Sequence, residues 1–273
     1  LGEALKKYLR TTFYTLCIIA TTLCLVNLSF HMKALPWLAE FGSEPILKSE
    51  IPGKFPIESF VIIEQHVSFY EMLCDENKEN CANSGQSIRG MSGSASGAIV
   101  GECGDSCSLV LTAAHVCAIE SPGIPIVNPS VDHVITLTTG VGRISYGRVI
   151  ATDEENDLCM LATEDKLGPA LQISDDDLVL HQEVWNMASP LGLAVPLAVP
   201  VFQGYYSGEV DTLTIFTFPV APGSSGSPIM NEHGEILATV SGAAINFDSY
   251  AIGSRTEAVR NFVFAVKFQL QSM

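Results

Sequence analysis

The chain has 273 residues, 47% of them hydrophobic, with 14 Lys+Arg against 30 Asp+Glu and a formal net charge of −16. That length suits one domain or two small ones. That charge excludes a binder of nucleic-acid phosphates and a domain drawn to anionic lipid headgroups.

An apolar run comes first. Phe13 to Phe30 is 18 residues without a charge, about 27 Å long as a helix. Lys6, Lys7 and Arg10 precede it, while Lys33 follows. This bias sets the N-terminus in the cytoplasm and the remainder on the extracytoplasmic side. Residues 1–33 therefore read as a cytoplasmic tail and one transmembrane helix, with a cleaved signal peptide as the alternative. They hold four cations and one acid, a net +3, so residues 34–273 carry −19 of the total −16. The chain opens on Leu1, which reads as the start of a fragment, of a trimmed product or of a piece of a polyprotein.

Residues 34–56 hold Pro36, Pro45, Pro52 and Pro56 and read as an extended stalk. Short apolar runs and turn residues then alternate. Ile57–Val67 is expected to be a strand, and Asp75–Met91, rich in Gly, Asn and Ser, a loop. Ser96–Val100 and Leu109–Leu111 form a hairpin, followed by strands at Val134–Thr139, Arg143–Thr152 and Leu158–Thr163. Leu167–Leu180 reads as a linker. Gln182–Met187, Val195–Gly208, Leu213–Phe218, Ser227–Met230 and Ile236–Ala243 supply a second set. Many short strands with frequent turns argue an all-β protein of barrels. The end differs. Ala258, Val259, Phe262, Ala265, Val266 and Leu270 recur at helical spacing, after a capping box at Ser254-Arg255-Thr256-Glu257. The divisions are 57–166 and 181–253 for the two barrels, 167–180 for the linker and 254–273 for the helix.

Of the eight cysteines, Cys17 and Cys24 lie in the apolar run. The other six, Cys74, Cys81, Cys103, Cys107, Cys117 and Cys159, are an even set that fits an oxidising compartment. Local pairing joins Cys74 to Cys81 and Cys103 to Cys107. Cys117 and Cys159 either bridge or remain buried thiols. No two CxxC-like pairs stand at finger spacing, so no metal is expected.

Three stretches carry chemistry. Pro222-Gly223-Ser224-Ser225-Gly226-Ser227-Pro228 sets a serine on a glycine turn between apolar runs. There the backbone can approach a carbonyl closely, and the N–H groups of Gly223 and Ser225 can converge on an oxyanion. Leu109-Val110-Leu111-Thr112-Ala113-Ala114-His115 ends an apolar strand on an imidazole, the usual base for a serine hydroxyl near neutral pH. Asp157 heads the apolar strand Leu158-Cys159-Met160-Leu161, where a carboxylate can orient that imidazole. Asp132 and Asp153 are rival acids.

In that order, TAAH, then DL with apolar residues, then GSSGSP, the sequence is similar to the trypsin/chymotrypsin-like serine peptidases, nearest to the Deg/HtrA-type and viral branches. The segment from Asp153 to Leu158 resembles the Deg-type segment whose second aspartate is catalytic. The likeness spans about residues 57–268. It implies two antiparallel six-stranded β-barrels of the chymotrypsin type, with the site between them and a closing helix. It also implies Ser225 as nucleophile, His115 as base, Asp157 as its orienter, and Gly223 and Ser225 as the oxyanion hole. Such an enzyme hydrolyses peptide or protein substrates through an acyl-enzyme and needs no cofactor. The primary specificity pocket would have its base at Pro219 and a wall of Ser241, Gly242 and Ala243, which favours a small or apolar P1 side chain over a basic one. Ser224 stands where zymogen-type members carry aspartate, so the site is expected to form without N-terminal cleavage. The sequence runs only a few residues past the expected helix, so the PDZ domain of Deg/HtrA-type enzymes is not expected. The alternatives are an inert scaffold of the same fold, or a viral polyprotein-processing protease of the same chemistry.

Overall fold

The computed structural model describes residues 55–74, 81–119, 129–210, 213–244 and 247–272. The apolar run 13–30 and most of the stalk, residues 34–54, lie outside them, so the expected membrane helix does too. Among the described residues no helix is long and apolar enough to cross a membrane.

Strand β1 (Phe60–Cys74) begins with FVII because both of its faces are covered there. Val61 and Ile63 point into the first barrel with Ile99, Val110, Leu137 and Leu161. Phe60 and Ile62 face the other way and pack with Val100, Leu111 and Met160. A strand buried on both faces reads as a continuous apolar run. β1 pairs antiparallel with both β2 (Cys81–Glu102) and β4 (Pro129–Thr139). With β3 (Ser108–Thr112), β5 (Ile144–Asp153) and β6 (Leu158–Thr163), these close a barrel in the order β1-β2-β3-β6-β5-β4.

The second barrel closes in the same pattern. It consists of β7 (Glu183–Met187), β8 (Val201–Val210), β9 (Leu213–Phe216), β10 (Pro228–Met230), β11 (Ile236–Ala244) and β12 (Phe247–Gly253). Val184, Phe216, Phe218, Ile229 and Leu237 fill its interior. A one-turn helix, α1 (Ala114–Cys117), follows β3, and α2 (Thr256–Gln271) ends the described chain. α2 buries Val259, Val263 and Val266 in a core that also takes Leu109 and Leu158 from the first barrel and Met230 and Ile236 from the second. These valines lie four and three residues apart, so they share one helical face. The shared core fixes one barrel against the other, and so fixes groups contributed by both.

Several boundaries differ from the sequence expectations. Residues 81–91, expected as loop, form the first half of β2 and pair with β1 from Cys74↔Cys81 to Val67↔Met91. The strand preference of so small and polar a stretch is low, and the partner strand overrides it. β8 starts at Val201 and not Val195, because Pro196 and Pro200 interrupt the ladder and a 3-10 turn occupies Pro190–Gly192. β12 was not expected as a strand; it pairs with β11 and β9. The capping box does not form. Arg255 is the N-cap and makes no side-chain cap, because the Ser254 hydroxyl accepts the Thr239 N–H at 3.0 Å instead.

Candidate active site

β3 is buried at every position and delivers its end, Thr112-Ala113, to the interface between the barrels. α1 follows at once and lifts His115 out of the core. His115 is exposed while its neighbours Ala114, Val116 and Cys117 are buried. A disulfide joins Cys117 to Cys159, with Cα atoms 6.5 Å apart. It ties the histidine turn to β6 two residues beyond Asp157.

Asp157 sits in the turn between β5 and β6 with φ +53°, a left-handed conformation that short polar side chains tolerate. Its Oδ1 accepts from the His115 backbone N–H at 3.0 Å. The ring Nδ1–H lies 3.0 Å from Oδ1 and 2.9 Å from Oδ2. Nδ1 therefore carries the proton, and Nε2 is left as the basic nitrogen. Burial alone would push the Asp157 carboxyl up. The hydrogen bonds from the His115 ring and backbone, the imidazole charge and a hydrogen bond from Ser241 together hold it below the ordinary carboxylate range. Asp153, a rival acid in the sequence, is engaged elsewhere: its Oδ2 accepts from the Asn156 amide at 2.8 Å and its Oδ1 from the Asn156 backbone N–H at 3.1 Å. Asp132 is exposed on β4, paired with Ser68.

The serine turn comes from the second barrel and docks on the first. Gly223 and Gly226 have φ +98° and +79°. A Cβ on Gly226 would strike Thr112 Oγ1, the Ser96 carbonyl and the Ala113 nitrogen. Only glycine lets the turn approach the strand end that carries His115. The Ser96 N–H donates to the Ser225 carbonyl at 2.9 Å. The Pro222 carbonyl accepts from the Leu191 N–H at 2.6 Å. Since a trans peptide points its N–H opposite to its C=O, the Gly223 N–H faces away from Leu191. Among the described residues, the N–H groups of Gly223 and Ser225 donate to no backbone carbonyl. The flanking hydroxyls are occupied: Ser224 Oγ accepts from the Ala221 N–H at 3.3 Å and Ser227 Oγ from the Asn186 amide at 2.7 Å. Ser225, between them, is half-buried on the wall of a cavity.

That cavity, about 480 Å³, is lined by Val220, Ser224, Ser225, Val240, Gly242 and Ala243, with Leu191 and Pro222 at its rim. Gly242 and Ala243, two of the residues expected in the wall of the specificity pocket, are among those that line it. Pro219 does not line it: the chain after β9 alternates, so Phe218 and Val220 are buried and Pro219 is exposed. Ser241 is absent from the lining as well, and its hydroxyl turns to Asp157 instead.

Ser96 went unnoticed in the sequence. It is fully buried. Its hydroxyl donates to the Gly223 carbonyl at 2.8 Å and accepts from the Ser189 N–H at 2.9 Å, and its carbonyl accepts from the Thr112 hydroxyl at 2.8 Å. One side chain thus links β2, the serine turn and the chain after β7. The available signal was a serine in the small-residue run Ala95-Ser96-Gly97-Ala98, ahead of apolar Ile99. Cys103 and Cys107 form a second disulfide, with Cα atoms 5.2 Å apart. Cys74 and Cys81 face each other in the β1–β2 register, and their side chains lie outside the described set. Among the described residues no group of three or more His, Cys, Asp or Glu could hold a metal ion.

A family model described as a trypsin-like peptidase domain matches residues 95–238, more than half of the chain and all three stretches around His115, Asp157 and Ser225. The chain belongs to this family. No curated protein matches the sequence. The peptidase domain shares its fold with a protease of M. tuberculosis crystallised in its active form. The TM-score is 0.55 at 15% identity, covering 80% of this chain and 85% of that one.

Proposed function

We propose that this peptidase is a serine endopeptidase that cleaves through an acyl-enzyme, with Ser225 as nucleophile, His115 as general base and Asp157 as its orienter. The reading rests chiefly on one observation: the Asp157 carboxylate grips both the ring Nδ1 and the backbone nitrogen of His115. This leaves Nε2 basic, on the helical turn that directly follows the strand end against which the Ser225 turn docks. In the proposed cycle Ser225 Oγ attacks the scissile carbonyl as Nε2 takes its proton. The N–H groups of Gly223 and Ser225 hold the oxyanion. His115 then protonates the leaving amine, and water, activated the same way, releases the acyl group.

The apolar cavity beside Ser225, with Val220 and Val240 in its wall and, among the described residues, no charged side chain in its lining, supports a small or apolar P1 residue over Arg or Lys. A buried cation there would have no counter-charge. The charge bias around residues 13–30 supports a membrane-anchored enzyme working outside the cytoplasm.

The test is labelling with a fluorophosphonate, which reacts with an activated serine. The wild type is expected to be modified at Ser225, and Ser225→Ala to lose both label and peptide hydrolysis. Labelling at another serine, or undiminished turnover of Ser225→Ala, would refute the assignment.

A further inference from the structure

Val184 to Gly208 is 25 residues without a charged side chain, in a chain with 14 Lys+Arg and 30 Asp+Glu. The part between β7 and β8, residues 188–200, stands in solvent: Leu193 is 65%, Val195 52% and Leu197 77% exposed. The loop is tightly bonded. The Gly192 and Leu193 N–H groups donate to the Ser189 and Pro190 carbonyls at 3.1 and 3.0 Å. Val195 and Ala198 exchange N–H···O bonds of 3.2 and 2.9 Å, which sets Pro196 and Leu197 at the tip of a closed turn. Leu197 holds φ +68° there. Glycine and asparagine take that conformation at little cost, and leucine does not. A bulky apolar side chain held at a strained, exposed tip points to a use outside the fold.

Two neighbours of the loop indicate what covers it. One is the start of the described chain. The Leu197 N–H donates to the Gly140 carbonyl at 2.6 Å, in the turn between β4 and β5. A Cβ on Gly140 would strike both the Ile57 carbonyl and a Val199 methyl. The polypeptide therefore enters the domain beside the loop. The 24 residues 31–54 join this point to the apolar run 13–30 and reach at most about 85 Å, which keeps the domain at the bilayer once that run is inserted. The other neighbour is the active site. Leu191 lies on the rim of the cavity at Ser225, and its N–H is bonded to Pro222 of the serine turn. Val141 adds an exposed apolar side chain from the β4–β5 turn, while Arg143 turns back to donate to the Leu167 carbonyl at 3.3 Å.

We propose that residues 188–200 dock in the interfacial layer of a lipid bilayer, with Leu193, Val195 and Leu197 immersed. The Ser225 cleft then works at the membrane surface, on peptide segments that adjoin a membrane anchor. Acids elsewhere in the domain are repelled by anionic headgroups, whereas a charge-free loop gains by taking its apolar area out of water. Phe264 and Phe268, stacked on α2 with ring centroids 6.2 Å apart, are the rival apolar patch, but no residue of α2 lines the cavity at Ser225. The inference rests on the membrane-anchored reading above.

The full chain in phosphatidylcholine vesicles tests it. The wild type is expected to float with the vesicles and to resist alkaline carbonate. Fluorescence of Leu197→Trp should be quenched by lipids brominated on their acyl chains, and that of Phe268→Trp should not. One peptide is then offered free in solution and joined to an acyl chain in the vesicle. Leu193→Ser/Leu197→Asn is expected to lower cleavage of the lipid-joined peptide about tenfold and to leave the free peptide unchanged. Its melting temperature should hold or rise, because asparagine suits the left-handed tip. A chain that floats with Leu197→Trp unquenched, or with Phe268→Trp quenched in its place, overturns the docking loop alone. Quenching at Leu197→Trp without the tenfold loss overturns the cleft's work on anchored peptides. A clear fall in melting temperature in the double variant would show that protein, and not lipid, covers the loop. A wild type that does not float overturns the anchored reading, and the loop's role with it.

Discussion

Asp157 Oδ1 accepts from two donors of one residue, the backbone N–H and the ring Nδ1–H of His115, each at 3.0 Å. A single oxygen thereby fixes both the position of α1 and the tilt and tautomer of the ring. An amide in its place offers one accepting oxygen and a nitrogen that repels a donor. Asp157→Asn is expected to lower kcat about 1,000- to 10,000-fold while KM changes little, as loss of a group that sets the ring's tautomer and steadies the charge that develops on it without touching the substrate. Steady-state kinetics on an internally quenched peptide measure this. A loss of less than tenfold would remove Asp157 from the role.

The same carboxylate links folding to pH. Its pKa in the folded protein lies below the ordinary value, so the stability it contributes is present in full above the unfolded-state pKa, about 3.9. It is lost as pH falls through the lower folded value. The stability difference between wild type and Asp157→Asn should therefore hold from pH 7 to about pH 5 and shrink only below about pH 4. Urea midpoints across that range are the measurement. A difference already vanishing at pH 6 would show that the carboxylate is not held ionised by His115.

Much of this was legible in the residues. The apolar strands before His115 and after Asp157 are buried throughout most of their length, and apolar runs of that kind announce themselves in sequence. The serine turn was legible because Gly223 and Gly226 hold backbone angles that other residues resist. What stayed hidden depends on partners distant in sequence. Residues 81–91 have nothing strand-like about them until β1 supplies the other half of the ladder. Ser96 looks like filler until Gly223 arrives from 127 positions away to accept its hydroxyl. Pro219 failed because counting back from a serine cannot say which residue of an alternating stretch turns inward.

The Cys117–Cys159 bridge spans 42 residues and holds the base to the strand of its orienter. Cross-linking a loop of that length stabilises by about 2–4 kcal/mol through the unfolded chain. Cys117→Ala/Cys159→Ala is expected to lose stability of that order and to lose activity before it unfolds, since the bridge ties α1 to the strand that follows Asp157. The Cys103–Cys107 bridge spans four residues in a partly exposed turn and serves as the control. Its double alanine variant should keep both activity and most of its melting temperature. Thermal unfolding and peptide hydrolysis, measured on both variants, compare the two bridges. Equal losses from both would mean that the long bridge does nothing particular for the site.

Gly242 lines the cavity beside Ser225, and a Cβ built there meets no atom within 4 Å. The missing side chain is therefore open space that a substrate can use, whereas a Cβ on Gly226 would strike backbone and side chain alike. Gly242→Val should fold with an unchanged melting temperature, because its methyls enter the cavity without displacing Val240 or the Ser241 hydroxyl that reaches Asp157. Its cost falls on the substrate. Two methyl groups compete with the P1 side chain for the same volume, and each displaced methylene is worth roughly tenfold or more in kcat/KM. Peptides with leucine or phenylalanine at P1 should lose at least about tenfold, and those with alanine much less. A parallel series of P1 substrates on the wild type and the variant reads the difference directly. A uniform loss across the series would place P1 elsewhere and leave this cavity without its substrate.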